Sequence, residues 1–225
     1  MSYLGYTGIL TRYLGSIKHP MVLEIGVDRG QTSLPLISNL VHFHGDNFKW
    51  VGVDVRWDDM FMEQVCQMSN GGINIQLDPD LVLYQDSWNC SFQNQNSLSI
   101  MPDMVRCNFR FDAILIDGDH NYSTVSKELE YASQLSHEST ILLVDDYNGK
   151  WSDQDLFYKD RKSHSDNELL EKQASVERQG VNAAVDDWLD KNPEWTMIDR
   201  DDDCVILHRK TLELKLIPDL SLIHI

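Results

Sequence analysis

Aspartates close two apolar runs of this 225-residue chain, and their arrangement suits a divalent cation. Asp117 ends the run ILID, and Asp145 and Asp146 end the run ILLVDD. Neighbouring parallel strands bring their carboxyl ends to one edge of a sheet, so the three carboxylates would converge there. Without a cation they would raise one another's pKa, whereas Mg²⁺ prefers such oxygen ligands. The spacing predicts a metal site of Asp117, Asp145 and Asp146; the alternative is ordinary aspartates in strand-end turns.

His120 stands three positions after Asp117, close enough in sequence to share the same strand end. An imidazole with its ordinary pKa of about 6.5 accepts a proton at neutral pH. We therefore predict that His120 is a general base and that Asp117 belongs with it to the catalytic residues. The alternative is a histidine that only hydrogen-bonds a neighbouring carboxylate or orders the loop.

A second group of residues suits a cofactor. The segment EIGVDRG, residues 24–30, closes the first apolar run with the pattern E-x-G-x-x-x-G. Glycines in a strand-to-helix turn let the backbone approach a ligand and direct amides at it. The pattern lacks one glycine of the G-x-G-x-x-G turn that binds a dinucleotide pyrophosphate, and it adds Glu24. It favours a ligand without pyrophosphate and with a cationic part; two glycines in an ordinary turn are the alternative.

Asp54 closes the next apolar run, WVGVD. An acid at the end of a second strand is placed to accept hydrogen bonds from ribose hydroxyls. Its separation from Gly30 matches one helical crossover. An aspartate that caps a helix is the alternative. Together, the glycine turn and Asp54 indicate a cofactor site more strongly than either does alone.

Short apolar runs alternate with longer amphipathic stretches, which predicts a parallel sheet with crossover helices. The predicted strands are 21–26, 50–55, 81–85, 111–117, 140–146, 195–199 and 204–209. The last two are too close for a helical crossover, so we expect an antiparallel hairpin. The predicted helices are 31–40, 58–68, 123–136 and 180–191. Ser123 is expected to cap the third helix.

Three segments do not follow this alternation. Residues 88–107 are rich in Asn, Gln and Ser, which predicts a loop plus a short helix. Residues 148–178 are highly charged and are either a solvated insertion or a lid, because they follow a strand end where ligands bind. The tail, residues 211–225, is an extra strand, an oligomer contact or an unstructured end.

Composition narrows the class of partner. Nineteen Lys and Arg against 36 Asp and Glu give a net charge of −17, which repels phosphate backbones and anionic lipid. We therefore expect neither nucleic acid nor a membrane as partner. The four cysteines contain no C-x-x-C pair, which argues against a zinc ribbon or a redox dithiol. With no signal-peptide pattern and no apolar stretch of membrane-spanning length, we expect a soluble cytoplasmic protein.

Three motifs of the chain resemble those of the class I S-adenosylmethionine-dependent methyltransferases. They are E-x-G-x-x-x-G after strand one, an acid ending strand two, and Gln85-Asp86-Ser87 after strand three. The resemblance covers roughly residues 20–210. It implies an α/β, Rossmann-like, doubly wound sheet of seven strands in the order 3-2-1-4-5-7-6, with strand seven antiparallel.

The resemblance also implies roles around the cofactor, S-adenosylmethionine. The two glycines of the first turn would line its methionine part, the acid of strand two its ribose, and the pair after strand three its adenine. The residues implied as cofactor-binding are Glu24, Gly26, Gly30, Thr32, Asp54, Asp86, Ser87 and Asp117.

The pairing of IDGDHNY with DDY, residues 145–147, is similar to the macrocin-type small-molecule O-methyltransferases, often grouped with cephalosporin-biosynthesis proteins. It also parallels the metal-dependent catechol methyltransferases, in which an Asp and an Asp-Asn pair hold Mg²⁺ and a lysine base stands where His120 does. Asp146 replaces that Asn, which matches the macrocin-type pattern better. The resemblance implies methyl transfer, dependent on Mg²⁺ or another divalent cation, to a hydroxyl of a small sugar- or phenol-type molecule.

The same resemblance implies one methyltransferase domain over residues 1–210, with the insertion at about 148–178 and a C-terminal tail. The expected partner is a small hydroxylated substrate. A homo-oligomer is also possible, because related enzymes often form one. Two other classes also stay open. One is a nucleotide-cofactor oxidoreductase on a Rossmann-like fold, and the other is a non-catalytic relative that binds the cofactor or a metal.

Overall fold

A computed structural model describes residues 3–56, 58–69, 74–77, 88–155, 178–200 and 203–210. Several sequence predictions lie outside these residues. They are the strand at 81–85, the adenine-side residues Asp86 and Ser87, residues 156–177 of the insertion, and the tail. The division into one domain and a tail therefore stays a prediction.

The described chain forms an eight-stranded sheet with helices packed against it. The strands are β1 Met21–Ile25, β2 Lys49–Asp54, β3 Ile75–Leu77, β4 Cys90–Asn94, β5 Phe111–Ile116, β6 Ser136–Val144, β7 Trp195–Arg200 and β8 Val205–Arg209. Their order across the sheet is β3-β4-β2-β1-β5-β6-β8-β7. The predicted α/β class and the antiparallel β7–β8 hairpin are confirmed.

The central strands bring their carboxyl ends to one edge of the sheet. β1 pairs in parallel with β2 and β5, and β5 pairs in parallel with β6. Ile25 lies opposite both Val53 and Ile116, and Ile116 lies opposite Val144. The residues that continue from these positions are Gly26, Asp54, Asp117 and Asp145. The register therefore places these four predicted site residues at the same height, at one edge of the sheet.

The predicted seven-strand sheet is wrong in its count, because β3 adds an eighth strand at the edge. The strand beside β2 is β4, within residues 88–107, where we expected a loop and a short helix. Ser91 and Gln93 of β4 are buried, and Gln93 Nε2 donates to Ser91 Oγ at 2.8 Å. Buried polar side chains that hydrogen-bond to each other make such a strand look like a loop in the sequence.

The helices cover both faces of the sheet. They are α1 Tyr3–Gly15, α2 Ser33–His44, α3 Asp59–Ser69, α4 Ser97–Arg106, α5 Tyr122–Leu135 and α6 Gly180–Lys191. Four of them match the predicted helices, α4 is the short helix expected within residues 88–107, and α1 was not expected. The predicted cap is wrong: α5 begins after Asn121, which leaves Ser123 inside the helix.

Glu128 is a carboxyl group buried in the core between α4 and α5. Its Oε1 accepts a hydrogen bond from Ser97 Oγ at 2.6 Å. Burial, opposed by that hydrogen bond and reinforced by the charge of Asp119, raises the pKa of Glu128 to about 8. Burial also raises the pKa of Glu24 to about 8. Both side chains are thus neutral acids over much of the ordinary pH range.

We expect Glu128→Gln to flatten the pH dependence of stability. Between about pH 4.5 and pH 8 the native state keeps a proton on Glu128 that the unfolded state has released, so stability falls as pH rises. From pH 5.5 to 7.5 this amounts to about 2–3 kcal/mol. Urea unfolding at both pH values should show that loss in the native protein and a smaller loss in the variant. Glu130→Gln, exposed on the same helix, is the control; equal slopes in all three proteins would contradict the prediction.

Candidate functional site

The loop after β1 depends on two glycines. Gly26 and Gly30 have φ of +85° and +72°, in the region that side chains rarely adopt. A Cβ at Gly26 would overlap the backbone carbonyl of Asp117, and one at Gly30 would overlap the ring of Phe61. The loop therefore passes directly against the end of β5. This close approach is the physical reason for the glycines that the sequence pattern singled out.

Asp54 braces the same loop. Its Oδ2 accepts hydrogen bonds from the amides of Val27 at 2.9 Å and Asp28 at 2.8 Å, and its Oδ1 accepts from the amide of Arg56 at 2.9 Å. A groove runs beside it. The groove is lined by the residues Val27, Asp28, Gly52, Asp54, Arg56, Asp58, Phe61, Phe92 and Gln93. Asp54 thus lies where the sequence placed it, at the end of β2 and next to the glycine loop.

A cavity opens at the carboxyl ends of β1, β5 and β6. Its lining brings together three of the predicted cofactor residues, Glu24, Thr32 and Asp117, with Asp145. The buried carboxyl of Glu24 accepts from Ser33 Oγ at 2.8 Å and from the indole nitrogen of Trp50 at 2.9 Å. Two internal donors therefore hold Glu24, and they fix the turn from β1 into α2.

Asp117, His120 and Asp146 form a cluster beside this cavity. Nε2 of His120 lies 2.9 Å from Oδ2 of Asp146 and 3.8 Å from Oδ1 of Asp117. One ligand atom of each residue lies within 4.8 Å of the others, and all three side chains are half-buried. Asp146 adopts φ of +57°, which turns its side chain towards the histidine. The fold thus joins two strand ends through one imidazole.

The cluster changes the pKa of His120. Burial disfavours the charged imidazolium, but the hydrogen bonds and charges of Asp117 and Asp146 outweigh it and raise this pKa to about 10. The ordinary pKa that we assumed from the sequence does not apply to His120 in this arrangement. His120 is an imidazolium at neutral pH here, and it can accept a proton only when the charge of the two carboxylates is compensated.

Asp145 lies beside the cluster. Among the described residues, the three with the spacing of metal ligands are Asp117, His120 and Asp146. We had predicted Asp145 in the place of His120. Burial, together with the charges of Asp117 and Asp146, raises the pKa of Asp145 to about 7, and Asp203 of the β7–β8 hairpin adds to this. Asp145 instead lines the cavity next to Glu24. The hairpin thus brings a further acid that the sequence reasoning did not place here.

The donor set of the cluster fits a divalent cation. Two carboxylates and one imidazole, within 4.8 Å of one another, are ligands that proteins offer to divalent metals. Burial raises the pKa of Asp117, the hydrogen bond and charge of His120 oppose this rise, and the charge of Asp146 adds to it. Carboxylates suit Mg²⁺ and Mn²⁺, whereas imidazole is a ligand of the softer first-row metals. The residues therefore fit a metal without selecting one.

The first residues of the predicted insertion lie over the cluster. The ring of Trp151 stacks on His120, with centroids 5.9 Å apart and an interplanar angle of 23°. Asp155 Oδ1 accepts from the amides of Tyr122 and Gly180, each at 2.8 Å. Sequence reasoning missed Trp151 and Asp155, because both stand in a charged stretch without periodicity. A single tryptophan soon after a strand-end DDY was the available signal.

Comparison with known proteins defines the class. A family described as a methyltransferase domain matches residues 23–147, from β1 to the end of the DDY motif. The chain therefore belongs to this methyltransferase family and is a methyltransferase. The expectation of an enzyme is confirmed, and the oxidoreductase alternative is not supported. No curated protein matches the chain in sequence.

Solved structures share the fold at low sequence identity. CalS11, a TDP-rhamnose 3'-O-methyltransferase of calicheamicin biosynthesis, aligns with a TM-score of 0.59 and 12% identity over 93% of this chain and 79% of its own. An O-methyltransferase of Bacillus cereus in complex with SAH aligns at 0.56 and 13%, over 90% and 79%. TomG of Streptomyces achromogenes, involved in tomaymycin synthesis and bound to SAM, aligns at 0.53 and 15%, over 91% and 79%. These likenesses show the Rossmann-like methyltransferase fold.

Among the helices in the described part of the chain, none combines the length and the apolar character needed to cross a bilayer.

Proposed function

We propose that this methyltransferase transfers a methyl group from S-adenosylmethionine to a hydroxyl of a small molecule. The observation that carries the proposal is the meeting of two sites at one sheet edge. The cavity lined by Glu24, Thr32 and Asp117 adjoins the cluster of Asp117, His120 and Asp146. Asp117 belongs to both, so a donor in the cavity and an acceptor at the cluster would be neighbours.

The cofactor would lie along the glycine loop. S-adenosylmethionine, when bound, supplies a methyl group on a positively charged sulfur. Gly26 and Gly30 would line its methionine part, and Asp54 would turn a carboxylate oxygen from the loop amides to the ribose hydroxyls. Asp117 would lie between the cofactor and the acceptor. The protein's contribution is alignment of oxygen, methyl carbon and sulfur, which is a proximity effect.

The acceptor hydroxyl would lie at the cluster. A divalent cation held by Asp117 and Asp146, with Asp145 as a further candidate ligand, would lower the pKa of a hydroxyl bound there. In this mechanism His120 would not bind the cation, and its Nε2 would accept the acceptor's proton once the cation compensates the charge of the carboxylates. Trp151 would cover the imidazole and exclude water from that side.

We propose a sugar- or phenol-type substrate, in line with the resemblance of IDGDHNY and DDY to the macrocin-type enzymes. One solved neighbour supports the sugar type by its description, which is a TDP-rhamnose 3'-O-methyltransferase. A molecule with two adjacent hydroxyls would suit the paired carboxylates and their cation. The strong negative charge of the chain disfavours a nucleic acid, with its many phosphates, as the acceptor.

The cofactor assignment is tested by thermal unfolding with added ligand. S-adenosylhomocysteine at a hundredfold excess over its Kd should stabilise the native state by about 2.7 kcal/mol. For a chain of this size that shifts the midpoint by about 5–10 °C. NAD⁺ at the same concentration should leave the midpoint unchanged, because the glycine loop lacks the pyrophosphate pattern. A shift with NAD⁺ and none with S-adenosylhomocysteine would reject the assignment.

Asp54→Ala is expected to weaken the binding of S-adenosylhomocysteine at least tenfold, because it removes charge-assisted hydrogen bonds of about 1.5–3 kcal/mol. Isothermal titration calorimetry measures this change. Asp59→Ala, an exposed acid at the start of α3, is the matched control and should bind as the native protein does. Equal weakening in both variants would point to a general effect of charge.

A further inference from the structure

Helix α6 is linked to both loops that carry the cluster. Tyr147 Oη donates to Asp186 Oδ1 at 2.7 Å, and Tyr122 Oη donates to Asp187 Oδ2 at 2.8 Å. Tyr147 directly follows Asp146, at the end of β6. Tyr122 stands two residues after His120, at the start of α5. Two adjacent aspartates of one helix thus accept the hydroxyl hydrogen bonds of both motif tyrosines.

The loop of β5 is held at a second point. The backbone amide of Tyr122 donates to Asp155, which also accepts from the amide of Gly180 at the start of α6. Arg178 forms an ion pair with Asp187. The backbone and the hydroxyl of Tyr122 are therefore both connected to α6 or to its first residue. A tyrosine tied at both ends fixes the path of the residues just before it.

The helix that carries the two aspartates is itself rigidly placed. α6 packs against α5 and buries Ala184, Val185 and Trp188 in the core below β5 and β6. Tyr147 is only 6% exposed, and its hydrogen bond to Asp186 is partly buried. Loss of Asp186 would leave the Tyr147 hydroxyl without its acceptor on α6.

We propose that Asp186 and Asp187 are positioning residues, which act through Tyr147 and Tyr122 to set the spacing between His120 and Asp146. Neither aspartate touches the cluster. Each holds one of the two loops on a common support, and the 2.9 Å contact between the imidazole and Asp146 joins those loops. The meaning of this spacing for methyl transfer rests on the proposed function, whereas the spacing itself does not.

The first experiment measures that contact directly, in the free protein and at one pH. A histidine N–H that donates to a carboxylate gives a downfield imidazole proton that exchanges slowly with water, and His120→Gln assigns the signal by its loss. We expect Tyr147→Phe and Tyr122→Phe to shift this resonance upfield and to speed its exchange. Tyr131→Phe, on α5 and without a described hydrogen bond to Asp186 or Asp187, should leave it unchanged.

A pair of variants separates positioning from general destabilisation. In Asp186→Asn the amide oxygen can still accept from Tyr147, so the resonance should stay at its native position. Asp186→Ala removes the acceptor and should reproduce the effect of Tyr147→Phe. The proposal is overturned if the alanine variant, folded by circular dichroism, keeps the native resonance. It is equally overturned if the asparagine variant loses the resonance as the alanine variant does.

Turnover then tests the catalytic consequence. Once an acceptor is known, Tyr147→Phe should lower kcat by about tenfold to a hundredfold, as misplacement of reacting groups does, and should leave KM for S-adenosylmethionine unchanged. An equal change in both parameters would contradict the positioning role. The resonance experiment needs neither cofactor, metal nor acceptor. If the variants change the resonance as expected but the protein transfers no methyl group, the proposed function alone is rejected.

Discussion

Gly26→Ala is expected to lose both stability and cofactor binding. The new Cβ would overlap the carbonyl group of Asp117 and lie 2.6 Å from Cα of Gly118. These are backbone atoms of a central strand end, so they cannot rotate away. The φ of +85° adds conformational strain for any side chain. Strain and overpacking each cost about 1–3 kcal/mol, so the variant should lose about 2–6 kcal/mol of unfolding free energy.

The effect should reach the site because the displaced carbonyl belongs to Asp117. A shift of Asp117 moves it relative to His120, and the glycine loop moves away from the groove beside Asp54, where we propose that the cofactor binds. Urea unfolding measures the stability change, and calorimetry with S-adenosylhomocysteine measures affinity, which should fall below detection. Gly8→Ala in α1 is the control, since a Cβ there meets no atom within 4 Å. That change should stabilise by about 0.5–1 kcal/mol. A Gly26→Ala protein as stable as the native one would contradict the tight loop packing.

Asp146→Asn is expected to weaken divalent-metal binding at least tenfold and to abolish methyl transfer while keeping the fold. Asparagine has the same shape as aspartate and tolerates the left-handed backbone of this position, where φ is +57°. The change removes the charge that lies 2.9 Å from His120. Affinity for Mn²⁺, measured by electron paramagnetic resonance, should fall at least tenfold, the scale seen even for outer partners of metal ligands.

Transfer should fall with the metal affinity. Formation of S-adenosylhomocysteine, followed with a panel of catechols and sugar nucleotides, should drop to background in Asp146→Asn and in the native protein treated with EDTA. Asp153→Asn is the matched control, because Asp153 is exposed in the segment that follows the same strand. Unchanged Mn²⁺ affinity in Asp146→Asn would place the cation elsewhere. Unchanged turnover in EDTA would remove the metal from the mechanism and leave the cofactor assignment intact.

The sequence alone predicted most of the parallel core and its site edge. β1, β2, β5 and β6 are apolar runs that end in Gly or Asp, and strand adjacency follows from the alternation with helices. β4 was missed because its buried residues Ser91 and Gln93, joined by a hydrogen bond inside the sheet, are polar and read as a loop in the sequence. α1 was missed because its buried face is short, with Leu10, Tyr13 and Leu14 as its core residues.

Which carboxylates meet was beyond the sequence. The positive φ of Asp146 and the ring position of His120 bring these two together, whereas Asp145 continues the strand direction into the cavity. Backbone torsions at strand ends depend on contacts with neighbouring segments, here on the glycine loop and on the β7–β8 hairpin. The raised pKa of His120 depends on the same meeting of residues distant in sequence.

The sequence by itself determined the class of the protein, and it predicted the edge of the sheet at which Gly26, Asp54, Asp117, Asp145 and Asp146 lie. These follow from local patterns, because strand ends and glycine turns are read within a few residues. The tertiary structure alone decided that His120 lies between two carboxylates, that Trp151 covers it, and that α6 supports both loops. Each of these contacts joins segments far apart in the chain, where only packing selects the partner.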